Sequence, residues 1–371
     1  MPFKIAREEL LRAARSVVPG LSPREIVEQQ DSLVFKNGDV HTYNEQVFCR
    51  CPSGLPAGFP VIVVKAKKFI GQLTRLPDTE VEIEVEDKTL VVRGKRRRLR
   101  FRGETEILLP IDTLVMPKDK EWKKLNPDFT EAVGVVGESA STDASAQRFT
   151  CVHVHPNYME ACDGDQATRY TFKTGVTKPI LVKRDALRFV PNTDPMHLAE
   201  VGGWLVFRNA DGLIIGCQRY GEEFENLDRL FEYRGAKTVL PKLLTTEIEI
   251  AADFAKEDSD NPRVRIDLKP GWLKVTGAGD SGDYEAVKKI RYDGPEMKFQ
   301  ALPRLLLAVL KLATECEIDS KTYHLIVRGE NYSYVASFDR TTGDKKVKPS
   351  KNGKPKKAET AAVTEGDDDG N

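Results

Sequence analysis

A block of one helix followed by a hairpin occurs three times in this chain, and no other feature restricts its fold as much. The copies are AKKFIGQLTRLPDTEVEIEVEDKTLVVRGKRRRLRF from Ala66 to Phe101, VKRDALRFVPNTDPMHLAEVGGWLVFRNADGLIIGC from Val182 to Cys217, and LPRLLLAVLKLATECEIDSKTYHLIVRGENYSYVAS from Leu302 to Ser337. Each predicts a basic amphipathic helix, a polar break, and strands joined by a tight turn. The hairpins echo one another as Leu90–Gly94, Leu205–Asn209 and Leu325–Gly329. The copies lie about 115 to 120 residues apart, too far for a solenoid unit and right for a small domain. Three similar domains in one chain suggest a symmetric body such as a ring.

A chain of 371 residues is long enough for two or three domains with real cores. Its 57 basic residues equal its 57 acidic ones, so a basic binding face must be balanced by an acidic face elsewhere. Net charge therefore says nothing for or against nucleic-acid binding. No apolar run approaches the ~18 residues of a membrane span, and MPFKIAREELL lacks the apolar core of a secretory signal. The six cysteines are scattered without a CxxC pair, and Cys49 and Cys51 would share one strand face. This is the usage expected of a reduced, cytoplasmic protein with cysteines as small apolar residues.

The composition places a first domain at residues 1–118. It opens with a helix in AREELLRAARSVV, followed by strands around the Asn37-Gly38 turn. A Pro- and Lys-rich linker leads to a second domain at 119–238, with a helix in FTEAVGVVGESAS. A third spans 239–340, its strands turning at Lys269-Pro270-Gly271. Its AADFAKEDSDNP stretch is acidic and weakly apolar, which predicts a short or degenerate first helix. Residues 341–371 carry a basic block and then an acidic one, with almost no large apolar residues, and are expected to be disordered. The strands alternate apolar and polar residues, as in TEVEIEVE. The fold class is therefore α+β, with antiparallel sheets buried on one face under helices.

Few residues suggest chemistry. Gly277–Gly282 matches GxGxxG, but DYEAVKKIRYDG after it reads as turn and strand, whereas dinucleotide binding needs a helix. His153 and His155 share a strand face without further ligands at metal spacing. No nucleophile elbow, triad or phosphate loop is present, so no catalytic residue, metal or cofactor is assigned. The basic helix faces carry more signal. Lys68 and Arg75 are seven apart, as are Arg304 and Lys311, and Lys183, Arg184 and Arg188 cluster in the second copy. One such helix is ordinarily a solvated face. Three equivalent ones point to a surface that meets phosphates without reading bases.

The chain resembles the bacterial DNA sliding clamps, the beta subunits of replicative DNA polymerase III, in a divergent, phage-like form. The likeness covers residues 1 to about 338. It rests on AKKFIGQLTRLP with EVEIEVEDKTLVVRGKRRRLRF, on MEACDGD, on TVLPK at Thr238–Lys242, and on IRYDGPEMKFQALPRLLLAVLKL. The resemblance implies three clamp domains with helices lining a ring and antiparallel sheets outside. It implies a non-catalytic processivity factor, a head-to-tail homodimer encircling double-stranded DNA. Its implied partners are the replicative polymerase and the clamp loader, with no cofactor and no membrane.

Arg24 resembles a DNA-contact position and joins Lys68, Arg75, Lys183, Arg184, Arg188, Arg304 and Lys311. A partner-peptide pocket is implied at Cys151, Cys162, Gly164, Val239, Val335 and Ser337, with Arg169, Tyr170 and Phe231. The family's His-Arg-Leu after Asp-Gly reads DQATRY here, so peptide specificity is expected to differ. The degenerate helix expected in the third domain bears on the dimer contact. The alternatives are a clamp-like scaffold that does not encircle DNA and a nucleotide-dependent enzyme using the Gly277–Gly282 loop.

Overall fold

The structure is a computed structural model that describes residues 2–256 and 262–340. Among these, one strand, one helix and three further strands follow each other six times, twice in each sequence repeat. The six helices are α1 (Arg7–Ser16), α2 (Ala66–Arg75), α3 (Asp128–Gly137), α4 (Arg184–Leu187), α6 (Leu244–Ala255) and α7 (Pro303–Leu312). A seventh, α5 (Asp228–Glu232), lies outside this order, in the connection before the third repeat. The block legible in the sequence is the second unit of each pair. The charged segment after residue 340 lies outside the described residues.

Every strand pair among the described residues is antiparallel. Among the described residues, one sheet of sixteen strands runs through the body, with a four-stranded sheet from the first repeat and a five-stranded sheet from the third. The long sheet crosses between repeats at two seams. Val47–Pro52 pairs with Ile214–Tyr220, placing Cys49 opposite Ile215. Gln166–Thr171 pairs with Tyr332–Ser337, placing Ala167 opposite Val335. Successive residues in a strand face opposite ways, so one face packs on the helices and the other is an outer face.

Each helix docks through a stripe at helical spacing. In α2, Ala66, Phe69 and Leu73 are buried, and Phe69 meets the rings of Phe35 and Phe101 at 5.5 and 5.1 Å. Burying a side chain such as Phe69 or Leu73 stabilises by about 1.5–3 kcal/mol. The opposite face keeps Lys67, Lys68 and Arg75 exposed. The Asn37-Gly38 turn has both residues at positive φ, 53° and 84°, as a two-residue hairpin requires.

Two helices differ from the sequence expectation. The first helix of the third repeat is not degenerate: α6 has 12 residues. It begins upstream of AADF and buries Leu244, Ile248, Ala251, Ala252 and Ala255. Its small face lets it sit directly on the sheet: a Cβ on Gly277 would lie 1.9 Å from the Ala251 carbonyl oxygen. Conversely, the basic helix of the second repeat is a single turn, α4, followed by a 3-10 turn at Val190–Thr193. Pro191 disfavours helical backbone at Val190 and offers no N–H, so α4 cannot extend. The Gly277–Gly282 segment is a hairpin, with Gly279 opposite Gly282. A strand follows it where a dinucleotide fold needs a helix. Among the described residues, no helix is long and apolar enough to cross a membrane.

Candidate nucleic-acid interface and outer-face groove

The helix side of the sheets carries most of the basic residues singled out from the sequence, but they are not equivalent. Lys68, Arg75 and Lys311 stand exposed on α2 and α7, and Arg24 is exposed in the loop after α1. None of these four has an ion-pair partner among the described residues. Arg15 on α1 adds to the α2 face, its guanidinium donating to Thr74 Oγ1 at 3.0 Å. The spacing of Arg12 and Arg15 on α1 was a usable signal for this addition, since both are exposed.

The other arginines are engaged. Arg304 at the start of α7 donates to Asp163 and Asp165 at 2.7 and 2.5 Å, tying the third repeat to a turn of the second. Arg184 Nε donates to the Gly137 carbonyl at 2.9 Å. Both line a concavity of about 650 Å³ with Glu138, Asp143, Asp163 and Asp165, so acids already offset their charge. Arg188 is exposed and lies 3.4 Å from Asp185. Lys183 belongs to the other side. It ends the strand Ile180–Lys183 opposite Cys151, bonds Thr150 Oγ1 at 2.9 Å, and lies over the Tyr220 ring. Strand alternation sends Ile180 and Val182 to the helices and Lys183 outward, so it is removed from the interface.

The outer face of the second seam gathers much of the predicted pocket. Cys162, Ala167, Val335, Ile326 and Glu317 stand opposite one another in turn across neighbouring strands. The four apolar members span about 14 Å at the usual strand spacing. A polar row runs beside them: Glu160, Arg169, Ser333 and Arg328. Ser337 and Gly164 are exposed at the other margin. Val239 lines a neighbouring concavity of about 450 Å³ with Lys237, Arg291, Ile326 and Arg328. Cys151 is buried on the same outer face, beside Lys183.

Two assignments change. Tyr170 follows Arg169 on one strand and points the opposite way, into the core against Phe172 at 5.6 Å. Phe231 is no pocket wall; it belongs to a segment lying across the groove. Leu227, before α5, packs on Cys162 and Ala167, with Phe149, Phe224, Leu230 and Phe231 around it. Ala167, Leu227, Leu230 and Ile326 were missed. Alternation from Cys162 through the tight Asp163–Asp165 turn was the available signal for Ala167.

Glu160 is buried and satisfied by Arg169 at 2.6 Å and His153 Nδ1 at 2.8 Å, which gives His153 a structural role. Arg169 also reaches Asp228 at 2.8 Å and lies 4.6 Å from the Phe231 ring centroid. The Arg169 hydrogen bond holds the Asp228 carboxyl below the usual carboxylate range. Burial pushes the Cys162 thiol up to about 11, so it is neutral and apolar under Leu227.

No family model and no curated protein matches this sequence. Its structure is similar to solved ones. The DNA polymerase III subunit beta from Pseudomonas aeruginosa superposes with a TM-score of 0.76 at 16% identity, covering 92% of this chain and 100% of that one. The DNA polymerase sliding clamp from Bacillus subtilis gives 0.76 at 16%, covering 92% and 99%. The DNA polymerase III beta subunit from Thermotoga maritima gives 0.76 at 15%, covering 91% and 99%. The chain therefore has the fold of these clamps along nearly its whole described length.

Proposed function

We propose that this protein is a non-catalytic sliding clamp: two copies close head to tail into a ring around duplex DNA and tether a replicative polymerase. The likeness in fold over 92% of the chain and all of the Pseudomonas subunit carries this reading. The three repeats are then three clamp domains, meeting near residues 118 and 238, so that two chains supply six.

The free sheet edges support closure. The edge strand Arg98–Arg102 of the four-stranded sheet exposes Arg98, Arg100 and Arg102. The edge strand Gly282–Lys289 of the five-stranded sheet carries Asp283, Glu285, Lys288 and Lys289 and a 59% exposed Val287. Exposed Glu249, Ile250 and Asp253 on α6 belong to the same repeat. Two different unpaired edges, one of them beside a small apolar patch, suit a heterologous contact that closes, which also hides the edges. The helix face would meet DNA through Arg24, Lys68, Arg75 and Lys311 with phosphate contacts alone, which permits sliding. Encirclement raises the local concentration of a bound polymerase at the primer end, so no chemistry is asked of the protein. The polymerase and the clamp loader would dock by short peptides at the outer second seam, around Cys162, Val335 and Val239.

The test is topological. Protein loaded on nicked circular duplex should stay bound after dilution and be lost when the circle is cut. Its mass in solution should be twice that of the chain. A dimer that leaves circular and linear DNA equally fast would favour a scaffold that does not encircle DNA, and a monomer at all concentrations would refute the ring.

A further inference from the structure

The groove on the outer second seam is already filled, by the protein itself. Val335 and Ile326 point outward, yet they are only 2% and 0% exposed. The cover is the connection Gly221–Arg234, whose helix α5 packs on the strand Tyr332–Ser337. Leu227 is 4% exposed and seats on Cys162 and Ala167. Asp228 pairs with Arg169 at 2.8 Å. Leu230 and Phe231 flank Leu227, and Arg169 lies over the Phe231 ring. Tyr233 stacks on His324 at 4.3 Å, and Arg328 donates to the Tyr233 carbonyl at 2.6 Å.

The manner of attachment separates this segment from ordinary packing. The connection across the first seam is stitched by backbone pairing: Glu104 exchanges two hydrogen bonds with Val63, and Lys123 and Lys124 pair with Leu198 and His197. Between Gly221 and Arg234, among the described residues, no backbone group bonds to the backbone of the body. Side chains alone hold it: the Leu227 plug, the Arg169 and Arg328 contacts, His153 beside Phe224 at 5.1 Å, and the Arg148–Glu225 pair. A segment held this way can lift without breaking any sheet ladder, the property of locally opening units.

We propose that residues Phe224–Tyr233 are a displaceable internal ligand of this groove. Its external partner is a short peptide of the same chemistry. That peptide carries a leucine, an acid immediately after it, and a leucine–aromatic pair three and four residues beyond the first leucine. The inference rests on the reading of the outer second seam as a peptide site, and adds that the site is closed until its own strap is displaced. The first leucine has its receptor in the Cys162–Ala167 niche, the acid and the ring in Arg169, and the backbone carbonyls in Arg328, while the second leucine packs beside the first.

The probe is a fluorescein-labelled peptide of the strap itself, FENLDRLFEY, titrated against the full chain. The double variant Leu227→Ala, Phe231→Ala should bind it at least tenfold more tightly than wild type. Adding Ala167→Trp to that variant fills the niche and should abolish the gain. A second reading uses Cys162. Iodoacetamide labelling of this cysteine should rise at least tenfold in the double variant, with core Cys49 and Cys217 unchanged as internal controls, and saturating peptide should restore protection. Equal affinity for wild type and double variant, no peptide binding to either, or unchanged Cys162 labelling would each overturn the proposal. So would a gain that survives Ala167→Trp. Retention on circular DNA, measured on the same proteins, reports separately on the clamp reading. Retention without peptide binding sinks only the strap, and loss of retention in wild type sinks the clamp.

Discussion

On the proposed clamp reading, replacing Lys68, Arg75 and Lys311 with alanine should flatten the salt dependence of DNA binding by an amount the structure sets. These side chains are exposed and carry no intramolecular ion pair among the described residues, so each is available for a full phosphate contact. Each contact adds about 0.9 to the slope of log affinity against log salt, so losing three removes about 2.7 for a subunit on the duplex. Across a fourfold rise in salt, wild type should then lose about 40-fold more affinity than the triple variant. Fluorescence anisotropy on a short duplex at several salt concentrations measures this directly. Stability should move by less than about 0.5 kcal/mol, because the changes are on the surface. Arg304→Ala is the internal control. Its guanidinium is committed to Asp163 and Asp165, so the slope should change by well under one contact. An unchanged slope in the triple variant, or an equal drop from Arg304→Ala alone, would refute the division into free and engaged cations.

Other outcomes follow from particular contacts. Arg304→Ala should loosen the second seam instead, costing up to about 1 kcal/mol in denaturant unfolding; the half-exposed side chain argues against more. Gly277→Ala should cost about 1–3 kcal/mol, because its Cβ would meet the Ala251 backbone and α6 would have to shift; an unchanged midpoint would contradict this packing. Burial holds His41 near 4, below its ordinary 6.5, so the fold favours the neutral ring. Its contribution is present above pH 6.5 and fades as pH falls toward 4, by on the order of 1–2 kcal/mol at pH 5, and His41→Gln should flatten that loss in unfolding titrations. Burial raises the Cys49 and Cys316 thiols to about 12 from 9.0, the opposite case. Stability should decline as pH rises from about 9 toward 12, and native thiols should resist alkylation at pH 8.

Much of the fold was legible because its signals are local. Leu73 lies seven residues after Ala66 on one stripe of α2, and Val81 and Ile83 alternate with Glu80, Glu82 and Glu84 on a strand, whatever the rest of the chain does. The second unit of each pair was read as a repeat, whereas the first was read only as a helix followed by strands, and the structure shows both to have one element order. The reading of α6 failed because it started at AADF, whereas the helix begins at Leu244, and its alanine end is buried where Gly277 lies opposite. Around the outer groove, Cys162 and Val335 were named from the resemblance, and the structure puts them on the same face. Tyr170 was misplaced although strand alternation alone separates it from Arg169.

The repeating α+β units, the tight turns and the basic helix faces are written into local stretches of the chain, since period and turn chemistry act over a few residues. Which charges are free depends on long-range packing. Arg304 and Lys68 look alike along the chain, yet Arg304 is bound to Asp163, 141 residues away. Long-range packing also sets Ala167 opposite Val335, and Leu227 in the niche beside them. Partnerships of that kind depend on how distant strands register and how a connection is routed over them, which no local pattern encodes.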